Sequence, residues 1–353
     1  MSDLKSRVKA FVKLGDFLGK FCEYADGVNP KQDALSTFFM ELDEVITLSG
    51  HKNGWFTKEN ILHSLKSWSI VLTDNNMTDW LDNYTIEVNK EKTIAIIMAG
   101  NIPMVGFHDI LSVLVTGNKA LVKLSSNDTV LLPFMLKYLT KMDTYFKDKL
   151  MFTDEKLTEY DAVIATGSDN TARYFEYYFG KKPNIIRKNR NSVAVLTGEE
   201  TMEQLEALGE DIFRYYGLGC RSVSKLFVPK GYDFELFFTS IYKYNTIINQ
   251  PKYANNYDYN KAVYLMSEFK LLDNGFLMLK EDESYSSPIA SLFYEEYTSL
   301  DILKNKLKHD AEKLQCIVSK GVSENEIDFG KTQSPALSDY ADGVDTVEFL
   351  LKI

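Results

Sequence analysis

Apolar residues recur at helical spacing through the first 82 residues. Leu4, Val8, Phe11, Leu14/Gly15 and Leu18 share one helical face. Two readings fit that amphipathic segment: a helix packed on its own domain, or one lying on a membrane surface. Asp3, Asp16 and Glu23 dilute its positive face and favour the first. "NPKQDALSTFFMELDEVITL" predicts a second helix with Pro30 near its start. "TKENILHSLKSWSIVL" predicts a third, capped by Thr57. The texture changes near Tyr84. "YTIEV" and "TIAIIMA" flank the charged "NKEK", a hairpin-like signal over Tyr84–Ala95. Buried-strand runs then alternate with helices. "TIAIIMA", "KALVKL", "YDAVIAT" and "NSVAVL" read as strands. "PMVGFHDILSVLVTG" (opened by Pro103), "NDTVLLPFMLKYLTKM" (bent at Pro133) and "DNTARYFEYYFG" read as helices. The alternation predicts an α/β fold with a mostly parallel sheet covered on both faces. Beyond Glu199 come the helix "EETMEQLEALGEDIFRYYG", the loop around Cys220 and the strand "VSKLFVP".

Composition narrows the function classes. With 45% apolar and 25% charged residues the chain is globular. A net charge of −10 argues against broad nucleic-acid binding, which needs a basic surface. Three cysteines, Cys22, Cys220 and Cys316, make no disulfide framework and no zinc pair, and the four histidines are scattered. A reducing cytoplasm is the expected compartment. The opening segment lacks the apolar core of a signal peptide, and no apolar run is long enough to span a bilayer.

Four places hold chemistry in reserve, each with a plainer alternative. Thr166-Gly167-Ser168 ends a strand and opens a helix, where backbone N–H groups hold a phosphate, or where Ser168 or Asp169 simply caps. Lys123 ends a strand, at the edge where open α/β sheets bind ligands, or it is a solvated strand end. Asn101 follows a buried strand and donates two hydrogen bonds, to an oxyanion or to a turn. Cys220 follows Gly217 and Gly219, with Arg221 and Lys225 to favour a thiolate, or it is a small apolar residue beside a strand whose basic residues face water.

Taken jointly, these segments resemble the aldehyde dehydrogenase superfamily, and more closely its acyl-CoA reductase branch, the fatty-acid reductase of bacterial bioluminescence type. The resemblance runs from about Thr93 onward. "AGNIPMVGFHDILSVLVTGNKALVKLSSND", "IIRKNRNSVAVLTG", "YYGLGCRSVSKLFVP" and "SPALSDYADGVDT" carry it. It implies a Rossmann-like NADP(H)-binding domain over 83–193, of which the helical region 1–82 is a part, with a hairpin near 84–95 that is either an oligomerisation arm or a plain edge hairpin, and a catalytic domain over 194–353 that carries the cysteine and whose C-terminal segment is expected to return to the interface. It implies Cys220 as nucleophile and Asn101 as oxyanion-hole side chain, partnered by the Cys220 N–H. Lys123 then meets the adenosine ribose, and Gly167 and Ser168 the pyrophosphate. Glu283 or Ser284 meets the nicotinamide ribose.

Two departures from the family pattern inform the activity. "RKNRN" before "NSVAVL" has no acid where hydrolytic relatives carry a water-activating Glu, which favours a thioester partner such as CoA or an acyl carrier over a free acid. Ser126 stands where NAD-preferring relatives carry Glu, so NADPH is expected. Arg187, Lys188 and Arg190 either meet CoA phosphates or form a solvated basic turn. The expected activity is NADPH-dependent reduction of an acyl thioester to an aldehyde through an acyl-cysteine, in a homo-oligomer. The alternatives are an acyl-phosphate or semialdehyde reductase, or a non-catalytic nucleotide-binding scaffold.

Overall fold

The computed structural model describes residues 3–28, 36–86 and 90–353, and the chain divides into two units. Unit 1 holds the chain to Lys188 together with Ala336–Ile353. Its first helix, α1 (Leu4–Ala25), starts where the Asp3 side chain accepts the Ser6 N–H. Phe11, Leu14 and Leu18 are fully buried in the core of unit 1, so the apolar face is used inside the protein. Helices α2 (Ser36–Lys52), α3 (Lys58–Val71) and α4 (Asp74–Leu81) follow. Thr57 caps α3 through the Asn60 N–H, as its position predicts. Pro30 lies outside the described residues.

Five strands then build a parallel sheet. They are β1 (Thr93–Ile97), β2 (Lys119–Lys123), β3 (Leu150–Phe152), β4 (Ala162–Thr166) and β5 (Asn184–Arg187), in the order β3-β2-β1-β4-β5. Between them run α5 (Phe107–Val115), α6 (Leu131–Met142) and α7 (Asp169–Phe179). Ile94, Ala95 and Ile96 are buried, as a central parallel strand requires. The centre of the expected hairpin over Tyr84–Ala95, residues 87–89, lies outside the described residues, and its second run is this central strand. Helix α5 begins at Phe107, not at Pro103. Met104 (φ 62°) and Gly106 (φ 78°) are left-handed and hold the chain out of a helix until there. Pro133 falls in the first turn of α6, where a missing N–H costs nothing and no bend is needed.

Unit 2 spans Asn189–Pro335. Its elements are β6 (Asn191–Val195), α8 (Met202–Phe213), β7 (Val223–Pro229), α9 (Glu235–Ile241), α10 (Pro251–Met266), β8 (Leu271–Asp273), β9 (Met278–Glu281), β10 (Ser291–Tyr297), α11 (Leu300–His309) and β11 (Leu314–Val318). The sheet order is β11-β6-β7-β10-β9-β8, with only the β8–β9 pair antiparallel. The sequence-based division at 193/194 falls inside this unit. The chain after Pro335 belongs to unit 1: α12 (Thr346–Lys352) buries Val347 and Leu350 in that core, and the Tyr340 hydroxyl accepts from Trp80 Nε1 at 2.7 Å.

Candidate active site

In unit 1 the chain runs from β1 outward to β2 and β3, then returns to β4 on the other flank of β1. That reversal leaves a topological switch point beyond the carboxyl ends of β1 and β4, where open α/β sheets bind ligands. The loops there carry the predicted residues. Asn101 is exposed, four residues past the end of β1. Its loop presses on the one after β2: a Cβ on Gly100 would stand 2.5 Å from Ser125 Oγ, so only glycine fits. Buried Met104 and the bond from Ser64 Oγ to the Pro103 carbonyl (3.1 Å) fix the far side of this loop.

Lys123 ends β2 and donates from Nζ to the carbonyls of Asp154 (3.3 Å) and Glu155 (3.0 Å). Ser126 is exposed just beyond it. Buried Asp128 follows, its carboxyl pushed up to about 6 by desolvation. Gly167 and Ser168 form the β4–α7 turn. Ser168 is the N-cap of α7: its Oγ accepts the Thr171 N–H at 3.3 Å and lies 2.9 Å from Thr171 Oγ1. The capping role is therefore present whatever else the turn does.

The basic run behaves differently from either expectation. Arg187 is interior: with Asp109 it forms a bidentate ion pair (Nη2–Oδ1 2.8 Å), and Nη2 also donates to Thr346 Oγ1. Lys188 pairs with Glu176 at 2.9 Å, and Arg190 donates to the Leu314 carbonyl. The three do not form a phosphate-binding cluster, because the buried guanidinium at 187 is already committed to a carboxylate.

Unit 2 carries Cys220. Helix α8 stops at Phe213, and Tyr215 (φ 54°), Tyr216 (φ 58°) and Gly217 (φ 74°) follow in left-handed conformation. Non-glycine residues pay roughly 1–2 kcal/mol each for that geometry. A turn closed by the Ser222 N–H on the Gly219 carbonyl (3.0 Å) then presents Cys220, whose carbonyl accepts Ser192 Oγ at 2.9 Å. Cys220 is exposed, whereas Cys22 and Cys316 are buried. Burial pushes the Cys22 thiol up to about 11.

A strap ties this turn down. Buried Asp211 accepts the Gly330 N–H (2.6 Å), the Thr332 N–H (2.9 Å) and Thr332 Oγ1 (2.8 Å). The Thr332 carbonyl in turn accepts Arg221 Nε, and Gln333 Nε2 reaches Ser222 Oγ at 3.4 Å. Desolvation raises the Asp211 carboxyl to about 6. Lys225 does not face water, nor does it lend a bare charge to the thiol. It is fully buried, paired with Glu295 at 2.6 Å and bonded to the Glu283 carbonyl at 2.8 Å, and burial lowers its pKa. Glu283 thus serves Lys225 through its backbone while its side chain is exposed; the Ser284 N–H donates to Asp282.

Sequence reasoning missed a cavity of about 230 Å³ in unit 2. Residues 212–213, 216–218, 223–224 and 287–291 line it, with Tyr253 and Leu277. Its one sequence signal is indirect: it brackets the glycine-containing approach to Cys220. Among the described residues no group of His, Cys, Asp and Glu could hold a metal ion, and no helix is long and apolar enough to cross a membrane.

The family model described as acyl-CoA reductase (LuxC) matches residues 52–237, more than half of the chain. No curated protein matches it. Among solved structures the chain is similar to the indole-3-acetaldehyde dehydrogenase AldA of P. syringae, in complex with NAD+ and IAA. Identity is 12% and the TM-score 0.60, over 95% of this chain and 82% of that one. HpcC from Thermus thermophilus gives 12% and 0.62, over 91% and 71%. An aldehyde dehydrogenase from Bacillus cereus gives 13% and 0.61, over 92% and 72%. These likenesses establish the fold, and with the family match they identify the chain as a member of the LuxC acyl-CoA reductase family, an aldehyde-related oxidoreductase built on the aldehyde dehydrogenase fold.

Proposed function

We propose that this protein reduces an acyl-CoA, or an acyl-carrier thioester, to an aldehyde through an acyl group on Cys220, with NADPH as reductant. The observation that carries the reading is the exposed thiol of Cys220, held on a strained and strapped turn while Cys22 and Cys316 are buried. The Cys220 thiolate attacks the thioester carbonyl. Asn101 and the Cys220 N–H are assigned to the oxyanion. The C–S bond to CoA breaks, the CoA thiolate takes up a proton, and the acyl group stays on Cys220.

The switch-point edge of unit 1 suits a nicotinamide nucleotide. Gly100 leaves room for backbone where a Cβ would clash, the α7 N-terminus opens at Ser168, and Lys123 stands at the end of β2. The NAD+ complex of the AldA neighbour supports the same class of cofactor. That nucleotide supplies the hydride. Lys123 and Ser126 are assigned to the adenosine ribose; Ser126 is neutral and so admits a 2′-phosphate. Gly167 and Ser168 are assigned to the pyrophosphate, and Glu283 to the nicotinamide ribose. Collapse of the tetrahedral adduct on Cys220 releases the aldehyde and restores the thiolate.

The test is intact-protein mass spectrometry after mixing with acyl-CoA and no reductant. The expected adduct maps to Cys220, disappears on adding NADPH, and is absent from Cys220→Ser. An adduct that persists in Cys220→Ser refutes the assignment. Faster acylation from an acyl phosphate than from any thioester transfers the activity to that donor class.

A further inference from the structure

We infer that Arg221 is a positioning residue for the nucleophile: through its bond to the Thr332 carbonyl, and not through its charge, it holds the Cys220 turn in the geometry of attack. This rests on Cys220 being the acylated residue. Arg221 donates from Nε to the Thr332 carbonyl, while Thr332 donates from its N–H and its Oγ1 to Asp211. One strap residue is thus gripped from two sides, by the helix before the turn and by the residue directly after the nucleophile.

The bridge crosses the strained stretch. Asp211 lies in α8, ahead of left-handed Tyr215, Tyr216 and Gly217, and Arg221 lies just beyond them. Non-glycine residues at positive φ persist only where their surroundings over-determine them. A clamp that fastens both ends of residues 211–221 to Thr332 supplies that constraint. Its anchor is interior, since Asp211 and Thr332 are both fully buried. A second bond acts on the same peptide group: Ser192 Oγ donates to the Cys220 carbonyl at 2.9 Å. The planar group between Cys220 and Arg221 is therefore held at its oxygen by β6 and at its far Cα by the strap. Rotation about the Cys220 backbone, which would swing the thiol off its line of attack, is opposed from both sides.

Charge is the weaker agent here. The guanidinium and the Asp211 carboxylate engage opposite sides of Thr332, so the carboxylate offsets the field of the cation at the turn. The bond itself has no such counterweight.

The experiment compares Arg221→Gln with Arg221→Met, in buffer alkaline enough to keep Asp211 ionised. Gln puts an amide N–H where Arg Nε stands and carries no charge; Met has the same reach and no donor. Aldehyde formation from acyl-CoA, Cys220 acylation by mass spectrometry and a thermal melt are measured on each. Arg221→Met is expected to lower kcat about 100-fold at unchanged KM, the loss that follows a displacement of ~1 Å. Arg221→Gln recovers about tenfold of that loss, the worth of one hydrogen bond. Asp211→Asn leaves Arg221 and its charge in place but sets an amide donor against the strap's N–H groups, and lowers kcat about tenfold at unchanged KM. It decides the matter alone should Arg221→Met not fold. Equal losses in Arg221→Gln and Arg221→Met assign the effect to charge and overturn the positioning role. Wild-type kcat in Arg221→Met overturns it too, as does Asp211→Asn at or above the wild-type rate. A wild-type protein whose Cys220 takes no acyl group overturns instead the acyl-cysteine reading beneath it, which separates the two failures.

Discussion

The turn that carries Ser168 and the turn that carries Cys220 are built on opposite principles. Ser168 sits at φ −64° and ψ 164°, an ordinary N-cap geometry, and its hydroxyl is satisfied three residues away. The approach to Cys220 runs through three successive left-handed residues, and side chains from distant parts of unit 2 fasten the turn itself. The contrast extends further. Lys123 ends a regular strand, whereas the Asn101 loop leads into Met104 and Gly106 at positive φ. Candidates assigned to the nucleotide stand on relaxed backbone; candidates assigned to the reacting carbonyl stand on or beside strained backbone. The difference is physically sensible. A phosphate is held by many weak dipoles that tolerate small displacements, while attack on a carbonyl loses rate steeply with misplacement.

The sharpest way to break this comparison is to delete the thiol. Cys220→Ala is expected to lower aldehyde formation by at least ~10⁴. Because Cys220 is exposed, stability stays within ~0.5 kcal/mol. NADPH oxidation and a thermal melt measured together decide it: substantial residual turnover places the chemistry elsewhere. Next in size is Asn101→Ala. Loss of one oxyanion donor is expected to cost about 10²–10³ in kcat with little change in KM. An effect confined to KM would return Asn101 to the relaxed, binding class.

The strap itself gives a pH-dependent prediction. Burial holds the Asp211 carboxyl near 6, above its ordinary 3.8. Between these values the folded protein retains a proton that the unfolded chain has lost. The stabilising contribution is therefore full below about 4 and is lost as pH rises through 6. The stability of wild type relative to Asp211→Asn should fall over that window by as much as ~3 kcal/mol, read from urea unfolding at several pH values. A difference that stays flat from pH 4 to 7 shows that Asp211 is not a desolvated acid. Asp128, also raised to about 6 by burial, predicts the same sign for unit 1, so Asp128→Asn tests whether the strap is special in this respect.

Local signals account for what was legible in the sequence. Short apolar runs separated by helices gave the parallel sheet, because strands buried on both faces lose their alternation. The same physics hid Lys225. Arg221 and Lys225, at alternating positions around a strand, resemble a solvated face, yet β7 lies inside the six-stranded sheet between β6 and β10. A lysine there is buried against Glu295. Arg187 escaped for a related reason: its carboxylate partner, Asp109, is on a helix far back in the chain. Pro103 marked a helix start too early, since left-handed Met104 leaves no local trace. The strap and the cavity are assembled from segments that only the tertiary fold brings together. Strain at Tyr215 and Tyr216 was equally invisible, because tyrosine carries no preference for positive φ.

The smallest expected effects lie on the relaxed side, and they sharpen the comparison by separating two nucleotides. Lys123 Nζ rests on two backbone carbonyls at the part-exposed edge of β2. Lys123→Ala should therefore leave folding nearly intact, since water replaces the ammonium at both carbonyls. The KM for NADPH should rise about tenfold, ~1.4 kcal/mol, at unchanged kcat. Ser126→Glu asks a finer question. Ser126 is exposed, so a carboxylate is accommodated without steric cost. Within about 4 Å of a 2′-phosphate in a partly hydrated site, the new charge repels it by roughly 1 kcal/mol or more. The KM for NADPH should rise several-fold while that for NADH holds or falls, because a glutamate accepts the 2′-hydroxyl that NADH offers. Equal changes for both nucleotides would remove Ser126 from the ribose and, with it, the argument for NADPH.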